Sequence, residues 1–199
     1  MPQPLILASG SQIRHQLLAQ AKINHEVVLP RVDEEMVKAA LIQEAAKPRD
    51  IADTLAELKA RKISEKMPDA LVLGCDQVLD FKGEMLSKAP DKETALAQLQ
   101  AMQGNQHMLL SAAVICEAGK PIWRHVGQVR LRMRSLSDAF LKDYVARNWD
   151  TIQHAVGCYL LEEEGVRLFS AVQGDYFHVL GLPLIELSNY LVLRGDLPT

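Results

Sequence analysis

The sequence predicts a mixed α/β fold, and three observations carry that prediction. Short unbroken apolar runs, Leu5-Ile6-Leu7-Ala8 and Leu71-Val72-Leu73-Gly74, have the composition of strands buried on both faces. Segments with apolar residues at helical spacing lie between them along the chain. A long stretch in which Val129, Leu131 and Met133 interleave with Arg130, Arg132 and Arg134 has the two-residue period of a half-buried strand. This mixture selects α/β or α+β architecture with a partly antiparallel central sheet and flanking helices. The chain contains no internal repeat, low-complexity tract or Pro/Ser-rich linker. One domain spanning 1–199 is expected, either undivided or as two lobes around one cleft. In the second case the antiparallel middle makes one lobe and the termini the other.

The elements follow in order. After the first strand, Ser9-Gly10-Ser11 breaks the apolar run, and Ile13, Leu17, Leu18 and Ala21 mark a helix with Ser11 as its N-cap. Val27 to Pro30 reads as a second strand, followed by Val32-Asp33-Glu34-Glu35. Ile51, Leu55, Leu58 and Ile63 give a helical stripe over 50–66, with Lys59 and Lys62 beside it. The strand from Leu71 delivers Cys75-Asp76 at its C-terminal end, and Val78 to Leu86 reads as a hairpin turning at Lys82-Gly83. Pro90-Asp91 opens a helix closed by Gly104. His107 to Cys116 is a strand, with a turn at Gly119 and a second strand through Met133. Ser137 caps a helix carrying Phe140, Leu141, Tyr144 and Val145. Gly157 to Phe177 reads as irregular, and Gly181-Leu182-Pro183 introduces a last helix with Gly195 after it.

Composition excludes several classes. The chain has 199 residues, of which 48% are hydrophobic and 24% charged, so neither a disordered tail nor a fibre is expected. Lys plus Arg number 22 and Asp plus Glu 25, a net charge of −3, the wrong sign for a bulk nucleic-acid binder. The alternating Arg130, Arg132 and Arg134 then read as a solvated strand face. Three separated cysteines, Cys75, Cys116 and Cys158, make neither a disulfide framework nor a thiolate zinc site. No basic, apolar leader opens the sequence, and no apolar run approaches the ~18 residues of a membrane span, so a cytoplasmic protein without membrane partners is expected.

Four features could converge on one polyanion. Ser9-Gly10-Ser11 with Arg14 places backbone N–H groups and a guanidinium at a strand-to-helix turn, which suits phosphate. Lys59 offers a point charge. Asp76, after an apolar strand, can hold a divalent cation or take a proton from water. Lys88 follows the hairpin. Each has a plain alternative: a capped helix with a surface arginine, a snorkelling lysine, an aspartate in a turn, an exposed lysine. There is no P-loop, dinucleotide fingerprint, H-E-x-x-H pair or G-x-S-x-G elbow, and the six histidines are scattered.

The segments Leu7-Ala8-Ser9-Gly10-Ser11-Gln12-Ile13-Arg14, Val32-Asp33-Glu34, Leu55-Ala56-Glu57-Leu58-Lys59-Ala60, Gly74-Cys75-Asp76-Gln77-Val78, Gly83-Glu84, Lys88 and Gly174-Asp175-Tyr176 through Pro183 resemble the Maf family in order and spacing. The resemblance runs from Leu5 to about Leu191. It implies an elongated α/β fold with a cleft. It also implies a house-cleaning nucleoside triphosphate pyrophosphatase that cuts between the α- and β-phosphates with a divalent cation, Mg, Mn or Co. A homodimer is implied as well. Carried over by motif, Asp76 is the catalytic carboxylate, Ser9, Arg14, Lys59 and Lys88 contact phosphate, and Glu34 joins Asp76 near the metal. Maf-type proteins are also associated with septum inhibition, so a non-catalytic nucleotide-binding regulator of cell division is the alternative.

Departures from the family pattern bear on substrate. Many members read S-P-R-R where this chain has Ser11-Gln12-Ile13-Arg14, so Ile13 replaces the first arginine. Members acting on dTTP and UTP carry Thr after the catalytic Asp and a Gln in a Tyr-Gly-Ile-Gln segment. Here Gln77 and, after Cys158-Tyr159-Leu160-Leu161, Glu162 correspond, while a common upstream Lys stands as Ala155. Gln77 and Glu162 resemble the subgroup acting on 7-methyl-GTP. A carboxylate accepts from the N1–H and amino edge of guanine and attracts a positively charged methylated ring. Glu162-Glu163-Glu164 also admits a slip of one or two positions in this register.

Overall fold

The computed structural model describes residues 3–198. In chain order the elements are β1 (Leu5–Ala8), α1 (Gln12–Gln20), β2 (His25–Val27), α2 (Glu34–Gln43), α3 (Pro48–Ser64), β3 (Leu71–Phe81) and β4 (Glu84–Leu86). There follow α4 (Lys92–Met102), β5 (Gln106–Glu117), β6 (Lys120–Met133), α5 (Asp138–Ile152), a short 3-10 helix (Glu164–Leu168), β7 (Phe169–Gln173), α6 (Tyr176–Val179) and α7 (Leu184–Arg194). Among the described residues, strands hydrogen-bond in the order β2-β1-β3-β5-β6-β7, with β4 on β3. The sheet is mixed, as the sequence predicts.

The chain divides into two compact units, and β3, β5 and β6 run through the division. The first unit holds the residues through Gln77, then Ser111–Gly127, then those from Tyr176 onward. Within it β1 lies parallel to both β2 and β3, with Leu5 opposite His25 and Leu71, and Ala8 opposite Gly74. Leu5, Leu7, Leu17, Leu18, Leu71, Leu73, Leu187 and Leu191 interlock as its apolar core. Each such leucine contributes roughly 2 kcal/mol by leaving water.

Helix α3 shows how the sequence places a functional side chain. Pro48 stands at its first turn, where a missing N–H costs nothing, and Ile51, Leu55, Lys59 and Ile63 recur every four residues on its buried face. Lys59 therefore sits on the apolar stripe, whereas Leu58, expected there, is half-buried. The helix can approach β3 because Gly74 has no side chain. A Cβ at that position would lie 2.1 Å from the Ala56 carbonyl oxygen and 2.6 Å from the Ala60 nitrogen.

The second unit holds Val78–Leu110 and Gln128–Asp175. Here β4 pairs antiparallel with β3, Leu79 opposite Leu86, and β7 pairs antiparallel with β6, Arg130 opposite Gln173. Val129, Leu131 and Met133 are buried and Arg130, Arg132 and Arg134 exposed, as their alternation predicts. Helices α4 and α5 pack together, each with a side-chain cap, Asp91 accepting from the Thr94 N–H and Ser137 from the Phe140 N–H. His107 is buried against Tyr159 and Phe169, its Nε2 2.8 Å from the Tyr159 hydroxyl.

Several expectations need correction. The second strand is His25–Val27, set by its register on β1, and only the Val28 N–H continues the pairing to Leu7. Ser11 occupies the N-cap position of α1, but its side chain makes no cap bond. Helix α2 is a further element that the sequence reading does not name: none of its residues is fully buried, and only Glu34, Val37, Lys38 and Leu41 are half-buried on one face, while Asp33 caps it by accepting from the Met36 N–H. The segment read as irregular contains β7, of which only Phe169 is buried. Asp76 does not end a strand, because β3 continues through it to Phe81.

Burial holds the His107 imidazole down at about 4, well below its ordinary value. The folded state thus binds fewer protons than the unfolded chain between the two values. Stability falls as pH drops from ~6.5 toward 4, by up to about 1.4 kcal/mol per unit. Urea unfolding at pH 7, 6 and 5 should show this slope, and His107→Gln should flatten it.

Candidate active site

The site grows from the end of β1. That strand stops at Ala8 opposite Gly74, so Asp76 lies two residues beyond the edge of its parallel neighbour. A carboxylate past the C-terminal edge of a parallel pair is where α/β sheets place ligands. Asp76 is nonetheless 5% exposed, and burying an ionised carboxylate requires a partner.

Lys59 is that partner. Its Nζ lies 2.7 Å from Asp76 Oδ1 and 2.9 Å from Glu34 Oε2, with the lysine itself buried. Glu34, at the first turn of α2, is more accessible. Burial pushes the Asp76 carboxyl above its ordinary value, against the pull of Lys59 and Arg14. Only one Asp76 oxygen is occupied by Lys59; Oδ2 is buried and has no hydrogen-bond partner. A buried, orphaned carboxylate oxygen is costly unless it serves a cation or a donor from outside.

Arg14 braces the other side. Its Nε donates to the Gly181 carbonyl at 2.8 Å, and its Nη1 to Ser9 Oγ and the Cys75 carbonyl, both at 3.2 Å. One guanidinium thus joins the turn after β1, strand β3 and the turn before α7. Gly181 has φ +88°, and a Cβ there would come within 3.2 Å of Arg14 Nη2. Ser9 Oγ also accepts from the Ser11 N–H. With both acceptor positions used, the Ser9 hydroxyl has its proton left to donate, as a phosphate oxygen needs.

Gln77 is fixed as well. Its Nε2 donates to Ser111 Oγ at 2.9 Å and to the His178 and Val179 carbonyls at 3.0 and 2.9 Å. Two carbonyl acceptors fix the amide's orientation, since an amide oxygen could not face them. What Gln77 can offer a ligand is its carbonyl oxygen. Cys75, between Gly74 and Asp76, is buried with its thiol pushed up to about 11 by burial, and it contributes its backbone carbonyl, not its sulfur.

The first unit therefore brings together Ser9, Arg14, Glu34, Lys59, Asp76 and Gln77. Ile13 is half-buried against the apolar core. Lys88 and Glu162 belong to the second unit, and both are exposed, Lys88 just after β4 and Glu162 in the turn before the 3-10 helix. Among the three neighbouring glutamates, Glu164 is engaged by Arg147, Asn148 and Arg167. Its hydrogen bonds with Arg147 hold it at about 2. Sequence reasoning missed the structural roles of Ser111, Gly181 and the Cys75 carbonyl. The Gly181-Leu182-Pro183 turn was a usable signal for the second.

With this geometry in view, the family comparison is direct: a model of the Maf-like proteins matches residues 4–193. The chain belongs to the Maf family. A relative from Roseobacter denitrificans is 69% identical over the full length of both chains, and one from Ruegeria pomeroyi is 68% identical, again over both full lengths. A third, from Caulobacter vibrioides, is 47% identical over 98% of this chain and 97% of its own. All three relatives carry the name nucleoside triphosphate pyrophosphatase. Among the described residues, no helix is long and apolar enough to cross a membrane.

Removing one member of a buried ion pair leaves an uncompensated charge. Lys59→Met is expected to cost about 3 kcal/mol of stability at pH 7. Protonation of Asp76 removes that charge, so the deficit should shrink as pH falls toward 4. Urea titrations of the variant at the two pH values check both magnitude and sign.

Proposed function

We propose that this Maf-family chain is a nucleoside triphosphate pyrophosphatase that releases pyrophosphate and a nucleoside monophosphate from modified purine nucleotides, 7-methyl-GTP among them. The observation carrying the reading is Asp76: a buried carboxylate with one oxygen anchored by Lys59 and the other orphaned. The shared name of the full-length relatives supports the reaction class.

The residues fit the reaction as follows. Hydrolysis adds a water oxygen to phosphorus at the α–β bridge and breaks the bridging P–O bond. The water's proton must go to a base, and pyrophosphate leaves with the bond's electrons. Asp76 is the carboxylate that acts on this water, either as its general base or through a cation that it would hold with Glu34. Burial raises its proton affinity, which improves a general base at neutral pH. Lys59 holds Oδ1 and so fixes the direction of the carboxylate. Ser9 donates its hydroxyl to a phosphate oxygen, and Arg14 holds Ser9 and the β3 backbone in place.

A divalent cation fits this set on charge. Arg14 and Lys59 are matched in charge by Asp76 and Glu34, so these four residues by themselves leave little net attraction for a triphosphate. Asp76 and Glu34 are the residues that would hold Mg, Mn or Co, Asp76 through its orphaned oxygen. The ion would neutralise phosphate charge and the leaving pyrophosphate. Lys88 retains its implied role as a phosphate contact.

Substrate choice rests on Gln77 and Glu162. With its NH2 spent, Gln77 presents an acceptor to a base. The family resemblance assigns Glu162 as a carboxylate that would accept from the N1–H and amino edge of guanine. Ile13 packs with the core and leaves no cation at the first-arginine position. A homodimer, expected from the family, would appear in light scattering as twice the chain mass.

Asp76→Asn should lower pyrophosphate release by at least about 100-fold while keeping its circular dichroism spectrum. Undiminished turnover would remove Asp76 as base. Because burial raises the Asp76 carboxyl, the acid limb of kcat/KM should fall above the ordinary carboxylate range, with the rate rising as the group deprotonates. A panel of 7-methyl-GTP, GTP, dTTP and UTP with Mg, Mn and Co, read by pyrophosphate, tests the base preference. Selectivity for 7-methyl-GTP that weakens in Glu162→Gln supports it, and preference for dTTP or UTP overturns it.

A further inference from the structure

On the first unit lies a second cluster of chemistry-bearing side chains that the reaction above does not use. His125 stands on β6, His178 on α6 and Glu186 in the first turn of α7. His178 Nε2 lies 3.0 Å from Glu186 Oε2, and His125 Nε2 lies 3.7 Å from Glu186 Oε1. One ligand atom from each of the three falls within 4.8 Å of the others. A tetrahedral ion with bonds of ~2.0–2.1 Å holds its ligand atoms roughly 3.3 Å apart. His178 reaches one Glu186 oxygen just inside that value, and His125 faces the other oxygen at 3.7 Å, so sharing one oxygen requires a small movement of His125.

The surroundings are shaped for these rings. His178 is buried with its imidazole directly against Gly127, where a Cβ would come within 2.3 Å of Nδ1. No residue but glycine leaves that space. Trp123 stacks on His125, with ring planes 16° apart, and on Tyr190 of α7. A surface cleft lined by Arg49, Asp53 and His125 gives access from solvent. His125 is 36% exposed in its side chain and can close the remaining distance by rotation.

We propose that His125, His178 and Glu186 bind one zinc ion, with a further coordination position left for water. Two imidazoles and one carboxylate form a donor set zinc accepts, and three protein ligands leave such a position open. The ion takes the place of the proton in the His178–Glu186 hydrogen bond. It joins β6 to the neighbouring α6 and α7, which lie far from it in the chain. It also tethers the helix whose His178 and Val179 carbonyls hold Gln77, the residue after Asp76. The proposal does not depend on the reaction assigned above.

The test uses the full chain, stripped with a chelator and titrated with cobalt(II) chloride alone, then with zinc sulfate. One equivalent of cobalt should bind with a visible d–d band, and zinc should abolish the band. His125→Gln and Glu186→Gln should each weaken binding by at least about tenfold. Neither removes the His178 ring from its seat on Gly127, so both should fold. Asp76→Asn should leave the band intact, which separates this site from any ion at Asp76. No band, a band unchanged in His125→Gln and Glu186→Gln, or a band lost in Asp76→Asn would each overturn the proposal.

Discussion

An ammonium group placed in a nearly dry space between two carboxylates organises the first unit. Lys59 is buried because it belongs to the apolar stripe of α3, and helix periodicity admits no other orientation once Ile51, Leu55 and Ile63 are packed. A lone buried lysine would be untenable. Asp76 and Glu34, from a strand and a second helix, make it tenable, and Lys59 in turn lets Asp76 stay ionised away from water. Such a triad adds little to stability compared with an apolar replacement of equal volume, since desolvation consumes most of the attraction. What it provides is direction: one carboxylate oxygen is held, and its twin keeps its lone pairs unused.

The groups around the triad divide their atoms between architecture and ligand. Arg14 spends N–H groups on three partners, one of them the Gly181 carbonyl, and so ties the beginning of the chain to its end. Ser9 uses its lone pairs within the fold and keeps a proton. Gln77 uses its amino group and keeps an oxygen. Each side chain is immobilised through one function and presented through another. A preorganised site gains by this, because little reorganisation accompanies reaction.

Much of this was legible beforehand, for identifiable reasons. β1, α3, the β3–β4 hairpin and the alternating half of β6 announce themselves through periodicity and turn residues, because each buries a regular face. Helix α2 and strand β7 are harder to read, since α2 buries no residue fully and β7 buries only Phe169, which leaves a weak pattern. Asp76, Lys59, Glu34, Arg14 and Ser9 could be nominated from residue chemistry and from the family's spacing. Their mutual arrangement could not. The sequence gives Lys59 to phosphate; that its ammonium also lies between two carboxylates is a feature no motif announces. Its four-residue offset from Leu55 and Ile63 was the available clue. Pairings across long separations, such as Arg14 with Gly181 or Gln77 with Val179, depend on topology and leave no local trace.

The missing side chain at Gly74 has an effect that reaches past packing. With α3 and β3 in such close contact, position 59 faces Asp76 across a short, fixed backbone separation, which suits a compact cation on a flexible stem. A planar guanidinium carries the same charge but not the same compact shape, so arginine at position 59 is not a like-for-like exchange. A backbone hydrogen fifteen residues further along keeps helix and sheet close enough for the shorter side chain.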